Sequence, residues 1–242
     1  VTRLRTAFTT PEHKRRYVRT LFATIADRYD LITVLLSFGR DRGWKRRLVR
    51  EAGIQQGQRV VDLACGTGDI AFTAARDGVT VIGFDITFRM IELARRKAQL
   101  AQPLARTPQF AVADMLALPL PDASIDVITT GYGLRNVPRL DDALREIARV
   151  LRPSGRLLSL DFNRPRAAIV RWPYLAYLTL AGSLLGWVLH RDPDTYRYIP
   201  ESVKRYPGAA GVADLLRAHG FGNVRVIPVF GGFMTIHVAY RK

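Results

Sequence analysis

The chain of 242 residues carries one cysteine and four histidines. A lone thiol excludes an internal disulfide and leaves no cysteine cluster for zinc, so no metal is expected and a reduced, cytoplasmic setting is compatible. Cys65, between Ala64 and Gly66, reads as a small filler rather than a nucleophile. Acid is scarce as well: 21 Asp and Glu face 37 Lys and Arg, a net charge of +16. Residues 1–50 hold thirteen of those bases against four acids. Such an excess favours an anionic surface, either nucleic acid or acidic lipid headgroups. Repeats and low-complexity tracts are missing, and Val1 to Thr10 lack the apolar core of a signal sequence. What is plentiful is apolar side chain, 48% of residues, enough to bury one substantial core. A single domain with extensions is expected.

The chain is organised around Val60-Val61-Asp62-Leu63-Ala64-Cys65-Gly66-Thr67-Gly68-Asp69. Val60 to Leu63 read as a short buried strand, followed by a Gly-rich turn into a helix near Asp69. Gly66 and Gly68 can take strained dihedrals and let a ligand lie against bare backbone, as nucleotides do at the carboxyl end of a parallel strand. Gly66 to Ala71 formally fit the dinucleotide fingerprint. Charge argues against that reading. A pyrophosphate needs the positive helix N-terminus, where Asp69 already places a carboxylate, and Asp62 adds another four residues before Gly66. Two acids suit a ligand with an ammonium, a sulfonium and no phosphate, and S-adenosylmethionine is such a ligand. The plainer alternatives make Asp69 a first-turn helix charge and Asp62 a buried acceptor. Asp85, ending the next apolar strand, stands where nucleotide folds bond ribose hydroxyls.

Strands are expected at Arg59–Leu63, Thr80–Phe84, Gln109–Val112, Ile125–Thr130 and Arg156–Leu160, and helices at Ile70–Arg76, Arg89–Leu100 and Leu140–Leu151. Continuous apolar strands with helical crossovers indicate an α/β fold with a mostly parallel sheet covered on both faces. Asn223–Val229 and Phe233–Arg241, linked by Gly231-Gly232, read as an antiparallel hairpin completing a seven-stranded sheet. The chain then divides into an N-terminal helical cap (1–52), a cofactor-binding core (53–161), an apolar helical lid (164–206) and a C-terminal helix and strands (207–242). In the cap, Glu12 to Tyr29 is helical in spacing and Asp30 to Thr33 break it. Trp44 to Glu51 forms a helix with a basic face of Lys45, Arg46, Arg47 and Arg50, whose plain reading is solvation. Trp172 to Leu189 contain no charge. As one helix they would reach about 27 Å, borderline for crossing a bilayer. Pro173, Gly182, Ser183 and Gly186 favour instead a pair of apolar helices roofing a greasy pocket or lying in a membrane interface, which suits Trp172, Tyr174, Tyr177 and Trp187. An ordinary buried helical hairpin is the alternative.

Several runs resemble the ubiquinone/menaquinone biosynthesis C-methyltransferase family, from about Arg19 to Lys242. They include Phe22-Ala23-Thr24-Ile25-Ala26-Asp27-Arg28-Tyr29-Asp30, Leu36-Ser37-Phe38-Gly39, Trp44-Lys45-Arg46, the Asp62–Asp69 turn, Gly133-Leu134-Arg135-Asn136-Val137 and Tyr196-Arg197-Tyr198-Ile199-Pro200-Glu201-Ser202. The resemblance implies a Rossmann-like class I methyltransferase fold and S-adenosylmethionine-dependent methylation of a ring carbon on a polyprenylated benzoquinol or naphthoquinol. It places Thr67 and Asp85 among the cofactor contacts, Tyr29, Asp62, Gly66, Gly68, Asp69 and Ile86 beside them, and Asp114 and Met115 near the adenine. Gly131 stands where some members carry Ser. Asp41-Arg42 replaces a common His-Arg, and Asp161-Phe162-Asn163 a common Glu-Phe-Ser, which leaves the acceptor's exact identity open.

An aromatic carbon becomes a good nucleophile when a neighbouring hydroxyl ionises, and a phenol titrates near about 10. The site therefore needs a base or fixed positive charge. Arg135 is assigned the electrostatic role, since it stays protonated, and Asn136 the orientation of a quinol oxygen or a water. Asp161 and His237 are the candidate proton acceptors, His237 being the more structural by position. Tyr132 and Tyr196 either line the ring pocket or are core aromatics. Expected partners are the lipophilic quinol and an anionic membrane face, reached from the cytoplasm as a peripheral protein; a homo-oligomer is compatible. No nucleic acid is expected, because no recognition module is visible. A non-catalytic S-adenosylmethionine binder in a quinone-making complex, and methylation of another lipophilic phenol, are the rival readings.

Overall fold

The computed structural model of the protein describes residues 4–75, 79–101 and 107–242. Three helices come first: α1 (Pro11–Ile25), α2 (Tyr29–Leu36) and α3 (Asp41–Ala52). Thr10 caps α1 by accepting from the His13 N–H, and Pro11 occupies the first turn, where a missing N–H costs nothing. The break between α1 and α2 falls at a 3₁₀ turn, Ala26–Arg28, and not at Asp30–Thr33. Thr33 lies within α2, its hydroxyl bonding back to the Tyr29 carbonyl at 2.6 Å.

The alternation that follows is β1 (Arg59–Leu63), α4 (Asp69–Ala75), β2 (Thr80–Asp85), α5 (Phe88–Leu100), β3 (Gln109–Val112), β4 (Ile125–Gly131), α6 (Leu140–Val150) and β5 (Leu151–Phe162). Arg76, expected to end α4, lies outside the described residues. After β5 come α7 (Ala168–His190), α8 (Asp194–Arg205), α9 (Gly208–Ala218), β6 (Phe221–Val229) and β7 (Met234–Arg241). Strand order is β3-β2-β1-β4-β5-β7-β6; β1 to β5 are parallel, and β7 runs antiparallel to β5 and β6. The expected seven-stranded sheet with a terminal hairpin is therefore present. Period-two side chains feed two cores. Val60, Val81 and Val127 pack under α3, α4 and α5, while Val61, Ile128 and Leu157 pack against α6 and α9. The strand order reverses between β1 and β4, so the loops there open a crevice at the carboxyl edge.

The charge-free stretch is one 23-residue helix, α7, and not a pair. Pro173 falls in its second turn and forfeits one hydrogen bond without ending it. The glycines do not break α7; they let it touch α8. A Cβ on Gly182 would lie 3.1 Å from the Tyr196 carbonyl, and one on Gly186 only 2.5 Å from that of Asp192. Tyr174, Leu175, Leu178, Gly182 and Gly186 form the buried stripe, and the opposite face is exposed. Gly186→Val should therefore cost about 1–3 kcal/mol through overpacking, while Leu184→Val on the exposed face should stay within about 0.5 kcal/mol; urea unfolding of both measures the contrast.

Candidate active site

The turn after β1 is strained in a regular way, with φ of 50° at Ala64, 54° at Gly66 and 91° at Gly68. Gly66 borders a cleft, a Cβ there lying 3.7 Å from the Tyr29 ring. Gly68 serves packing, since its Cβ would meet the Phe110 ring at 2.7 Å, and it lines none of the described cavities. Asp85 is buried at the end of β2, and its two oxygens accept from Gly66 N (3.0 Å) and Thr87 N (2.8 Å). Each oxygen keeps a lone pair for a ligand hydroxyl. Burial pushes this carboxyl above the ordinary range, against the pull of both N–H groups. The cleft, about 770 Å³, is also lined by Ile86, Asp114, Met115, Gly131 and Tyr132. Asp114 accepts from Leu116 N and pairs with Arg15 of α1 at 2.7 Å. Through Arg15, Val18 and Phe22, α1 walls the cleft.

The charges at the turn differ from the expectation of two bare acids. Asp62 is fully buried, and strand register sets it between Gly83 and Thr129. One oxygen accepts from the Thr129 hydroxyl at 2.8 Å and the other has no partner. It lines none of the described cavities, so it is the buried acceptor. Burial pushes its carboxyl up to about 7. Asp69 does face a small pocket beside Gly66. Its oxygens lie 2.9 Å from Lys45 and 3.5 Å from Lys97, and these ammonium groups overcome burial and hold it below the usual range. Lys45 is no solvated base: it is 6% exposed and also pairs with Asp41 at 2.7 Å. Thr67 donates to Asp30 at 2.7 Å, and Lys97 reaches the same carboxylate at 2.6 Å. Asp30, Asp41 and Asp69 thus alternate with Lys45 and Lys97. Such a cluster suits a ligand end carrying both signs, an ammonium with a carboxylate, better than a diphosphate.

A second, apolar cavity of about 880 Å³ shares Phe22, Tyr29, Tyr132 and Asn136 with the cleft. Tyr132 is held at φ 63° and donates to Asp41 at 2.5 Å; strain of this kind persists where its surroundings enforce it. Asn136 donates from Nδ2 to the Tyr132 carbonyl at 2.8 Å, leaving Oδ1 buried and unpartnered. Arg135 lines the same cavity. Its backbone N–H and Nε donate to the two oxygens of Asp161, at 3.1 and 3.2 Å, and Nη1 donates to Ser202. Its guanidinium carbon lies 5.0 Å from the Phe162 ring centre. Lys14 of α1 donates to the carbonyls of Arg135 (3.0 Å) and Val137 (2.6 Å). Burial and the neighbouring guanidinium draw Lys14 down to about 8.

Neither candidate proton acceptor lines a described cavity. Asp161 is 1% exposed, borders no described cavity and is filled by N–H groups of Arg135 and Phe162; it positions Arg135. His237 is buried in β7, accepts no cavity contact and bonds the Ala209 carbonyl at 2.8 Å, with burial lowering its pKa. Tyr196 does line the apolar cavity, its hydroxyl on His190 at 2.9 Å. Sequence reading missed Lys45, Phe22 and Tyr198; Tyr198 also lines the cavity, with a buried unpartnered hydroxyl. The four-residue spacing of Asp41 and Lys45 was the available signal.

The ubiE/COQ5 methyltransferase family profile matches residues 10–241. The chain belongs to that family. It is 39% identical over 230 residues to the ubiquinone/menaquinone biosynthesis C-methyltransferase UbiE of Rubrivivax gelatinosus, covering 94% of this chain and 88% of that one. It is 36% identical to the UbiE of Serratia proteamaculans, covering 95% and 92%. Its fold is shared with a solved S-adenosylmethionine-dependent methyltransferase of Thermotoga maritima (TM-score 0.65, 18% identity, covering 93% and 100%) and with one of Aquifex aeolicus (0.60, 20%, 82% and 89%). The chain is a methyltransferase.

Asp62 binds its proton more tightly folded than unfolded, where it titrates near 3.8. Its contribution is complete below pH 4 and is lost as pH rises through about 7. Asp62→Asn should abolish that slope and be more stable than the parent at pH 8, as read by urea midpoints across pH. Lys45→Met, which leaves the buried Asp41 carboxylate without its ion-pair partner, should cost about 3–5 kcal/mol in the same measurement.

Proposed function

We propose that this chain transfers a methyl group from S-adenosylmethionine to a ring carbon of a polyprenylated quinol, working as a peripheral protein at an anionic membrane. The observation that carries this reading is the wall shared by the two cavities. Phe22, Tyr29, Tyr132 and Asn136 belong both to a cleft bordered by Asp85 and to an apolar cavity bordered by Arg135. In this reading Asp85 holds the ribose hydroxyls, Ile86, Asp114 and Met115 flank the adenine, and Gly66, Thr67 and the Asp69–Lys45 pair receive the amino-acid end. The donor supplies an electrophilic methyl on sulfur.

The chain's own residues must make the acceptor carbon electron-rich and keep water away. Arg135 has a guanidinium that Asp161 and Ser202 hold in place on the wall of an apolar cavity, so negative charge growing on a quinol oxygen is stabilised without rearrangement. Asn136 Oδ1 is a free acceptor for the quinol O–H. Tyr29, Tyr132, Tyr196 and Tyr198 enclose the ring. Residues 164–206 act as the acceptor's lid, and the named UbiE relatives support a quinol as that acceptor. Peripheral attachment is supported by the exposed apolar face of α7 and by the excess of base in residues 1–50. Although α7 is long and apolar enough to cross a bilayer, its glycine stripe binds it to α8, so it lies along the surface.

Radiolabelled methyl donor with a panel of demethylated benzoquinols and naphthoquinols tests the activity; absence of label in every quinol refutes it. Arg135→Lys keeps a cation for Asp161 but loses the fork, and should lower kcat by about a hundredfold with cofactor affinity unchanged in calorimetry. Asp85→Ala should weaken cofactor binding by about tenfold or more, one to two charged hydrogen bonds being lost. The protein should sediment with phosphatidylglycerol vesicles at low salt and be released as salt rises.

A further inference from the structure

Two helices, α2 and α7, contribute both to the apolar cavity and to the exposed apolar surface. Thr33 and Leu36 of α2 and Tyr174 and Leu178 of α7 face inward. Leu31 and Leu35 of α2, with Trp172, Leu180, Leu184 and Trp187 of α7, are exposed. Two residues belong to both sides. Tyr177 lines the cavity yet is 39% exposed, and its ring stacks on exposed Phe38 at 5.9 Å between centres. Phe230 lines the cavity, is 38% exposed and lies under the Arg40 guanidinium at 5.6 Å.

We propose that Phe38, Tyr177 and Phe230 frame a portal between α2 and α7 that admits the ring and first isoprene units of the acceptor, while the rest of the prenyl chain stays in an anionic bilayer against the exposed face of α7. This rests on the quinol reading above. Exposure supplies the first argument: Tyr177 and Phe230 line the cavity and are still more than a third exposed, so the cavity opens to the surface at their edge. Each isoprene drawn out of lipid into water forfeits its hydrophobic transfer energy. Geometry supplies the second. Trp172, Leu180, Leu184 and Trp187 share one helical face, opposite the stripe on α8, with a tryptophan toward each end as membrane interfaces favour. Charge supplies the third. Exposed Arg28, Arg40, Arg42, Arg164, Arg166 and Arg191 stand at or near the ends of α2 and α7 and outnumber exposed Asp27, Asp192 and Asp194 there, complementing acidic headgroups.

The test uses the full chain, a monoprenyl quinol in lipid-free buffer and a long-chain quinol in phosphatidylglycerol vesicles. The variant Leu180→Gln/Leu184→Gln/Trp187→Gln changes exposed residues that do not line the cavity. It should methylate the monoprenyl quinol within twofold of the parent and lose at least tenfold on the vesicle-borne substrate. Unchanged vesicle turnover, or an equal loss on both substrates, overturns the proposal. A diazirine on the second isoprene should label Phe38, Tyr177 or Phe230, and one on the last isoprene should label lipid or α7. Labelling of Ile25 or Ile32 by the terminal probe would mean the whole chain is swallowed, and overturns it too. A parent that methylates neither quinol refutes the quinol reading itself, and the portal with it.

Discussion

A single buried ammonium ties the catalytic edge together. Lys45 of α3 sits between Asp41 and Asp69, at 2.7 and 2.9 Å, and Asp41 in turn receives the Tyr132 hydroxyl. An uncompensated ion at such depth would be costly, so each member holds the others in place. The consequence is geometric. One network fastens α3, the glycine turn and the end of β4, three pieces far apart in sequence, at the line where the two cavities meet.

Arg135 shows the same logic on the other side of that line. Its guanidinium is nearly enclosed, and burial is tolerable because Nε donates to Asp161, which also accepts from the Arg135 backbone N–H, and Nη1 donates to Ser202. The pair does not remove the positive charge from the cavity; it fixes where that charge points. Fixed charge in an apolar setting acts strongly on a developing oxyanion. Lys14, reaching from α1 to the carbonyls beside Arg135, and Arg15, reaching to Asp114, close the same region from above. The N-terminal helix is therefore a wall of the site as well as a source of positive charge.

The apolar segment serves two environments at once. Its glycines allow a backbone-close contact with α8, so one face is committed to the protein. The other face is left with leucines and tryptophans in solvent, an arrangement that soluble monomers seldom carry without use. The greasy cavity beneath and the greasy surface above meet at Tyr177 and Phe230, which belong to both.

The chain's own order of residues determined the sheet, its seven strands and the place of the crevice, because apolar runs of four to seven residues separated by helical spacing admit few other folds. The glycine turn was legible because its backbone conformation depends on neighbours close in sequence, Asp85 because it ends an apolar strand, and the Gly133–Val137 run through its family resemblance. What the sequence could not decide was which charges meet across elements. Asp62 and Asp69 look alike on paper, yet register buries one beside Thr129 and α3 supplies a partner for the other. Lys45 reads as one of four surface bases until helix α3 docks on the sheet. Asp161 and His237 both end or occupy strands, but only packing reveals that one grips Arg135 and the other a remote carbonyl. Burial and pairing are properties of distance in space, and they set protonation, cost and role, so these assignments belonged to the tertiary structure alone.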